Sequence, residues 1–406
     1  MDKRMKRNWG AIMLVAGTCI GSGMIALPMV LAKLGLVLSI VLMLVIWFVM
    51  YYTSLVNLEL NLQAGRGLSL GSLGRIYSGW GAKVIGTISL KLLSYALLAV
   101  FIYGGASILK ELMAANWGVT RFSFDGIALT ITLATFAMLL LPLRWIDYAN
   151  RLLFFALLVI VGVLIVGLAW LAKGSNLPYW PEAKNSLSVW ASVVPVVFTS
   201  FGFQVIFHTL TNYCHKDKNV LKQAFFWGSL IPAIIYIFWT GSVLSVVHQA
   251  DPAFYQQMAS GDVEVGKLVQ VLSGISHWEG IQQCVWWISL LAIVTSIIGV
   301  GVGLCDSLRE MMAELIPNHY LRKGVAALIT LLPPFLVVIY VPNAFIAALG
   351  FAGMILAIIA VLLPIYLLSG INWKKLHYPE LNSTSLLVFS TLVGLIVVGC
   401  ELLNIF

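Results

Sequence analysis

Gly17, Gly21 and Gly23 fall within one seven-residue stretch, with Thr18, Cys19 and Ser22 between them and Pro28 just behind. The stretch lies inside an apolar run long enough to cross a bilayer, where hydrocarbon offers no substitute partners for backbone groups. Glycine loses the most entropy on entering a helix, and proline removes a donor and clashes with the preceding turn. These residues therefore predict a helix interrupted at membrane depth. The N–H groups freed after Gly23 suit a carboxylate, and the carbonyls ending the first half around Gly17 to Cys19 suit an ammonium group or a cation. Together they describe a receptor for an α-amino acid. Close helix packing through small residues is the alternative for a glycine run; Thr18, Ser22 and Pro28 favour the break.

A second weak point lies at Pro195-Val196-Val197-Phe198-Thr199-Ser200-Phe201-Gly202-Phe203. Thr199 and Ser200 beside Gly202 and after Pro195 predict another local break. Carbonyls from Phe198 to Phe201 then suit the same ammonium group. Two hinges without solute contact are the competing reading of both motifs.

The elements that position these motifs are membrane helices. Of 406 residues, 61% are hydrophobic and 10% charged, against about 25% charged in soluble domains. Apolar runs of about 20 residues give eleven spans, near 9–33, 36–62, 82–112, 124–142, 151–172, 189–213, 222–248, 280–305, 324–341, 343–369 and 384–404. Stretches 64–80 and 307–322 read as loops or short interfacial helices, and 249–279 as a long acidic outer loop. The chain is expected to form one transmembrane domain over 1–406, with five-span halves at about 9–172 and 189–369 and an extra helix at about 384–404. Spans one and six then occupy matching positions in two inverted halves, and breaks at such positions point to a transporter's central site.

With the N-terminus inside, inside segments hold seventeen lysines and arginines and outside segments six. The positive-inside rule places the N-terminus in the cytoplasm and, after eleven spans, the C-terminus outside. The formal charge of +8 lies in short loops, which fits membrane orientation and not nucleic-acid binding. The scattered cysteines at 19, 214, 284, 305 and 400 exclude a disulfide framework. The expected partners are an amino acid and membrane lipid.

Other residues carry candidate roles. Thr295 and Ser296, after Ala292, place adjacent hydroxyls in the apolar eighth span. They either bond back to their own helix or, with carbonyls freed in span one, coordinate Na⁺, the one candidate cofactor. Intramembrane ionisable groups are functional candidates by default. Glu59 and Lys91, both toward the inner half, read as an ion pair or gate, with snorkelling of Lys91 as the alternative. His208 is a candidate for titration during transport, though a lone histidine is more often structural. Asp306 and Glu401 read as interfacial. Tyr95, Tyr103, Phe198, Phe201, Phe203 and Phe351 lie at depths that could line a pocket. No catalytic constellation is present, so no enzyme is expected.

The run Ala16 to Pro28 resembles the first span of the bacterial hydroxy/aromatic amino acid permeases, which include tyrosine- and tryptophan-specific permeases. Phe198 to Phe203 is similar to that family's sixth-span motif, Thr295 to Asp306 to its eighth span and Ala347 to Gly353 to its tenth. The likeness covers nearly the whole chain. It implies membership of the amino-acid/polyamine/organocation superfamily, with the five-plus-five inverted repeat of the leucine-transporter fold. It implies that Thr18, Cys19, Gly21, Ser22 and Gly23 hold the substrate's carboxylate and amino groups. Phe198, Thr199 and Ser200 would complete the ammonium site, with Phe201 and a third-span tyrosine, Tyr95 or Tyr103, closing over the side chain. Gly17, Ile20, Ala292, Thr295 and Ser296 match the second sodium site of sodium-coupled relatives. After Phe203 the chain departs from the family's His-Gly-Ser and proline, and Gln204 stands first in the changed stretch.

The function these readings imply is import of an aromatic amino acid, tyrosine or tryptophan, by symport with H⁺ or Na⁺ across a bacterial inner membrane. A serine, threonine or branched-chain carrier is the alternative within the class. A channel would need a continuous polar lining and an intramembrane enzyme a reactive cluster, and the sequence shows neither.

Overall fold

A computed structural model describes residues 3–21, 23–65, 67–119, 121–171, 177–181, 186–215, 217–261, 263–275, 279–341, 344–371 and 376–405. Among them all regular structure is helical. The helices are α1 (Lys3–Cys19), α2 (Gly23–Leu31), α3 (Gly35–Gln63), α4 (Leu70–Tyr77), α5 (Trp80–Trp117), α6 (Phe124–Leu139), α7 (Leu143–Leu171), α8 (Leu187–Ser200), α9 (Phe207–Tyr213), α10 (Lys218–Ala250), α11 (Pro252–Ser260), α12 (Val265–Ile275), α13 (Glu279–Met311), α14 (His319–Tyr340), α15 (Ala344–Ala357), α16 (Leu363–Leu368) and α17 (Thr384–Ile405). A π turn over Ile358–Leu362 joins α15 to α16.

Seven of the described helices are long and apolar enough to cross a membrane, and α1 with α2 makes an eighth as a pair bent by 50°. Helices α6 and α8 are apolar but shorter. Many large apolar side chains face outward, among them Val41, Leu133, Leu392 and Ile396. A soluble protein seldom exposes such surface, whereas lipid solvates it. Trp80 and Trp117, exposed at the two ends of α5, are amphipathic rings of the kind that anchor at membrane interfaces.

Stretch 64–80 contains the short helix α4, whose Gly74 lies so close to α5 that a Cβ there would come 2.7 Å from the Ala82 carbonyl carbon. Stretch 249–279, expected as a loop, carries α11 and α12. The Gly266 N–H of α12 donates to Ser107 Oγ of α5 at 2.9 Å, and the Tyr255 hydroxyl of α11 to the Ala32 carbonyl at 3.3 Å. This segment is thus packed on the bundle.

Helix α2 is buried at all nine of its residues. It sits in the main apolar core with the ends of α8 and the middle of α10. A second, smaller core joins Leu98, Leu139, Leu304 and Leu331, from α5, α6, α13 and α14.

Three prolines inside these helices organise side chains on their neighbours. Each removes the N–H that would bond the carbonyl four residues earlier, and a buried carbonyl needs a partner. Pro28 frees the Met24 carbonyl, which accepts from Trp239 Nε1 of α10. Pro195 frees that of Ala191, which accepts from Asn404 Nδ2 of α17 at 2.9 Å. Pro333 frees that of Ile329, which accepts from Tyr95 Oη of α5 at 3.1 Å. In each case a side chain from another helix replaces the lost donor.

Candidate functional site

Both expected breaks are present. Helix α1 stops at Cys19 and α2 resumes at Gly23; across the gap the Met24 N–H donates to the Gly21 carbonyl at 3.2 Å. Helix α8 stops at Ser200, and a short 3₁₀ turn over Gln204–Ile206 leads into α9. Phe201-Gly202-Phe203 is the non-helical link.

The two breaks meet at Tyr236, in the middle of α10. Its hydroxyl lies 2.6 Å from the Cys19 carbonyl and 3.2 Å from the Ser200 carbonyl. The ring stands edge-on to Phe201, with centroids 5.5 Å apart. Gly23 completes the junction, because a Cβ there would come 2.6 Å from Tyr236 Oη and 2.8 Å from Ser200 Cβ. Only a residue without a side chain allows α2, α8 and α10 to approach so closely.

The hydroxyls near the breaks are bonded to helix backbone. Thr18 Oγ1 donates to the Leu14 carbonyl at 2.7 Å, and Ser200 Oγ to that of Val196 at 3.0 Å. Thr199 Oγ1 lies between the carbonyls of Pro195, at 2.9 Å, and of Leu349 on α15, at 2.8 Å. Gly353 on α15 seats against the same turn, since a Cβ there would clash with the Pro195 carbonyl oxygen. Phe198 and Phe201 are fully buried beside the break. Gln204, also buried, accepts the Phe203 N–H on Oε1 at 2.9 Å. Ser22 and the side chain of His208 lie outside the described residues.

The eighth span brings Ser296 to the first break, where its Oγ would stand 3.0 Å from a Cβ on Gly21. Thr295 Oγ1 bonds back to its own helix, 2.8 Å from the Leu291 carbonyl and 3.2 Å from that of Ala292. Gly17 lies in the last turn of α1, Ile20 just past its end and Ala292 on α13, with Ile20 and Ala292 buried. This set offers hard oxygen donors, the kind that suits an alkali or alkaline-earth cation.

The third-span tyrosines are placed elsewhere. Tyr95 belongs to the second core, bonded to the Ile329 carbonyl. Tyr103 packs on Phe124 of α6, with centroids 4.9 Å apart. Glu59 and Lys91 do not meet. Glu59 is fully buried and accepts from Gln63 Nε2 at 2.8 Å and from the N–H groups of His377 at 2.9 Å and Tyr378 at 3.2 Å, while Lys91 Nζ contacts Met311 Sδ. Asp306 pairs with Arg309 at 3.1 Å. Glu401, expected at the interface, is only 4% exposed.

Tyr236 and Trp239 were not singled out from the sequence. The available signal was a tyrosine at mid-span with a tryptophan three positions on, hence on one helix face. Their polar tips need partners when buried.

A bundle of apolar helices in which two interrupted helices meet at one point defines a multi-pass membrane protein of the permease class. The chain matches the Tryptophan/tyrosine permease family over residues 4–400 and belongs to it. It is 30% identical over 371 residues to Tyrosine-specific transport system 1 of Haemophilus influenzae, covering 91% of this chain and 88% of that protein. It is 28% identical over 363 residues to the Tryptophan-specific transport protein of Pseudomonas aeruginosa, covering 87% and 84%. It is 24% identical over 397 residues to Glutamine transporter 2 of Aliivibrio fischeri, covering 97% and 96%.

Proposed function

We propose that the chain is a secondary active transporter that imports an aromatic amino acid, tyrosine or tryptophan, by symport with H⁺ or Na⁺. The observation that carries this reading is the single hydroxyl of Tyr236 reaching the carbonyls of both broken ends. Opposed helix ends offer the two kinds of backbone group that a zwitterion needs. The N–H groups opening α2 take the carboxylate, and the carbonyls around Cys19 and Ser200 take the ammonium group. Phe198 and Phe201 supply apolar surface for an aromatic side chain.

In this reading the eleven apolar segments all span the membrane, as five-plus-five inverted repeats of the leucine-transporter type with α17 added. The domain is single, lies in a bacterial inner membrane and has its N-terminus in the cytoplasm. The names of the tyrosine and tryptophan relatives support aromatic substrates. Na⁺, if it is the coupling ion, would be held by the Gly17, Ile20 and Ala292 carbonyls with Thr295 and Ser296, where its charge would preorganise the first break.

The test is uptake of labelled tyrosine and tryptophan into proteoliposomes, in competition with the other amino acids and under inward Na⁺ or H⁺ gradients. Saturable uptake accelerated by one gradient is expected. Uptake linear in concentration and indifferent to both gradients would refute symport. Competition by glutamine or serine in place of the aromatics would move the substrate assignment.

A further inference from the structure

Helix α17 carries one carboxylate, Glu401, about 25 Å along its axis from its first residue at 1.5 Å per residue. That places it within the apolar span, yet it is almost completely buried. Burying a carboxylate costs several kcal/mol unless it is paired or neutralised by a proton. Glu401 makes no ion pair among the described residues. Its hydrogen-bond donor is Asn404 Nδ2 at 3.2 Å. The same amide donates at 2.9 Å to the Ala191 carbonyl, the group on α8 left open by Pro195. Across from it, a Cβ on Gly350 would come 2.4 Å from Glu401 Oε2. The carboxylate therefore rests directly on the backbone of α15, one residue beyond the Leu349 carbonyl that receives Thr199.

The elements packed on α17 are α8, α15, the π turn, α3 and the turn over Pro379–Asn382. Helices α8 and α15 and the π turn carry no titratable side chain. The titratable groups Tyr51, Tyr52 and Glu59 of α3 and Glu380 of the turn stand toward the opposite end of α17. Cys400 is the neighbour on its own helix, and Lys33, near α8, donates to Ser192 Oγ at 3.1 Å.

We propose that Glu401 is a proton-binding site of the transport cycle, coupled through Asn404 to the broken helix α8 and through Gly350 to α15. The inference rests on the transporter reading above and names the coupling ion within it. As the carboxylate, Glu401 accepts from Asn404 and holds that amide on the Ala191 carbonyl. As the acid, it has an O–H to donate and a weaker hold on Asn404, so the packing of α17 against α8 and α15 changes with proton occupancy. Its place toward the C-terminal end of α17 faces the outer compartment in the proposed orientation, where an imported proton enters.

The test uses the full chain in proteoliposomes. Glu401→Gln should lose accumulation of labelled tyrosine driven by an inward proton gradient, while counterflow exchange at symmetric pH persists and no longer varies with pH. Proton-driven accumulation equal to wild type in Glu401→Gln overturns the proposal. Infrared difference spectra recorded on a pH jump, without substrate, should show a carboxylic C=O band that Glu401→Gln removes and Glu401→Asp shifts; a band unchanged in both variants also overturns it. Absence of any aromatic exchange in the wild type would refute the transporter reading, while the infrared band still decides protonation. If Glu401→Gln fails to insert, Asn404→Ala retains the acid and must shift the band's pH midpoint, and an unshifted midpoint overturns the proposal.

Discussion

The Tyr236 hydroxyl donates to the Cys19 carbonyl at 2.6 Å and reaches the Ser200 carbonyl at 3.2 Å. One side chain of an unbroken helix therefore holds the carbonyl ends of both broken ones. A helix that ends in hydrocarbon leaves carbonyls that must find partners. Here the solution also sets the distance between the two breaks, so the geometry of the gap depends on α10.

Tyr236→Phe should therefore injure the site more than the fold. The ring still packs edge-on to Phe201, but the buried Cys19 carbonyl loses its donor, at a cost of about 1–3 kcal/mol. Thermal unfolding in detergent should fall by a matching amount. Binding of tyrosine or tryptophan should weaken further, because two helix ends lose their common tether. Unchanged binding would mean that the junction does not position substrate.

Gly23→Ala tests the close approach itself. Its new methyl would fall inside contact distance of both Tyr236 Oη and Ser200 Cβ, forcing α2 from α8. Binding should be abolished, with the protein still folded in the membrane. Gly162→Ala, inside α7 at a position with nothing within 4 Å, should leave binding unchanged and raise stability by at most about 1 kcal/mol, and serves as the control. Equal behaviour of the two variants would show that the first break tolerates displacement.

Tyr95 is a test of the rule that proline-freed carbonyls recruit side chains. Tyr95→Phe should lower stability by about 0.5–1.5 kcal/mol with no change in substrate affinity. Pro333→Ala restores an N–H for the Ile329 carbonyl, so the double variant should lose less than the sum of the two single effects. A loss of affinity without a loss of stability would instead place Tyr95 at the substrate.

Tyr95 also shows where reading the sequence stops. Both breaks were legible, because Gly17 to Pro28 and Pro195 to Gly202 concentrate residues that a lipid-spanning helix otherwise avoids. The length and apolarity of the membrane-crossing helices were legible too. The direction in which a side chain points around its helix was not. Tyr95 and Tyr103 share a helix and an apolar setting, yet one meets a carbonyl of α14 and the other a ring of α6. Glu59 and Lys91 were matched by depth, but the turn after α16 returns to α3 and satisfies Glu59 from a part of the chain more than 300 residues away. Glu401 lies four residues from the end of α17, a position that reads as interfacial until α8 and α15 are packed around it. Such facts come from tertiary packing, which no local pattern encodes.

The segment after α16 has its own pH response. The Lys222 ammonium bonded to Glu380 holds that carboxyl below its ordinary value. A lowered folded-state value contributes stability above the unfolded carboxylate range, near pH 4.3, which is lost as pH falls through the folded value. Both side chains are partly exposed, so solvent screening limits the effect to at most about 1 kcal/mol. Protection factors of the 380–383 amides, with exchange rates corrected for their intrinsic pH dependence, should fall on acidification, and Glu380→Gln should remove that acid-dependent step. A response identical in the variant would assign it to another group.

Glu59 is what fastens this segment to α3. Among the described residues its hydrogen-bond partners are donors: Gln63 Nε2, the backbone N–H groups of His377 and Tyr378, and His377 Nδ1 at 3.0 Å in the tautomer protonated there. Glu59→Gln puts an NH₂ where only acceptors fit, whichever oxygen it replaces. Hydrogen bonds to a charged acceptor contribute about 1.5–3 kcal/mol each, so the isosteric change should release the turn although it preserves shape. The Tyr378 hydroxyl, bonded to the Lys218 carbonyl at the start of α10, should then loosen as well, carrying the effect toward the helix that holds both breaks. Hydrogen exchange of the 377–383 amides should rise sharply in Glu59→Gln. It should not change in Lys91→Met, because Lys91 contacts Met311 and not this turn. Release in both variants would show that Lys91 acts on Glu59 after all.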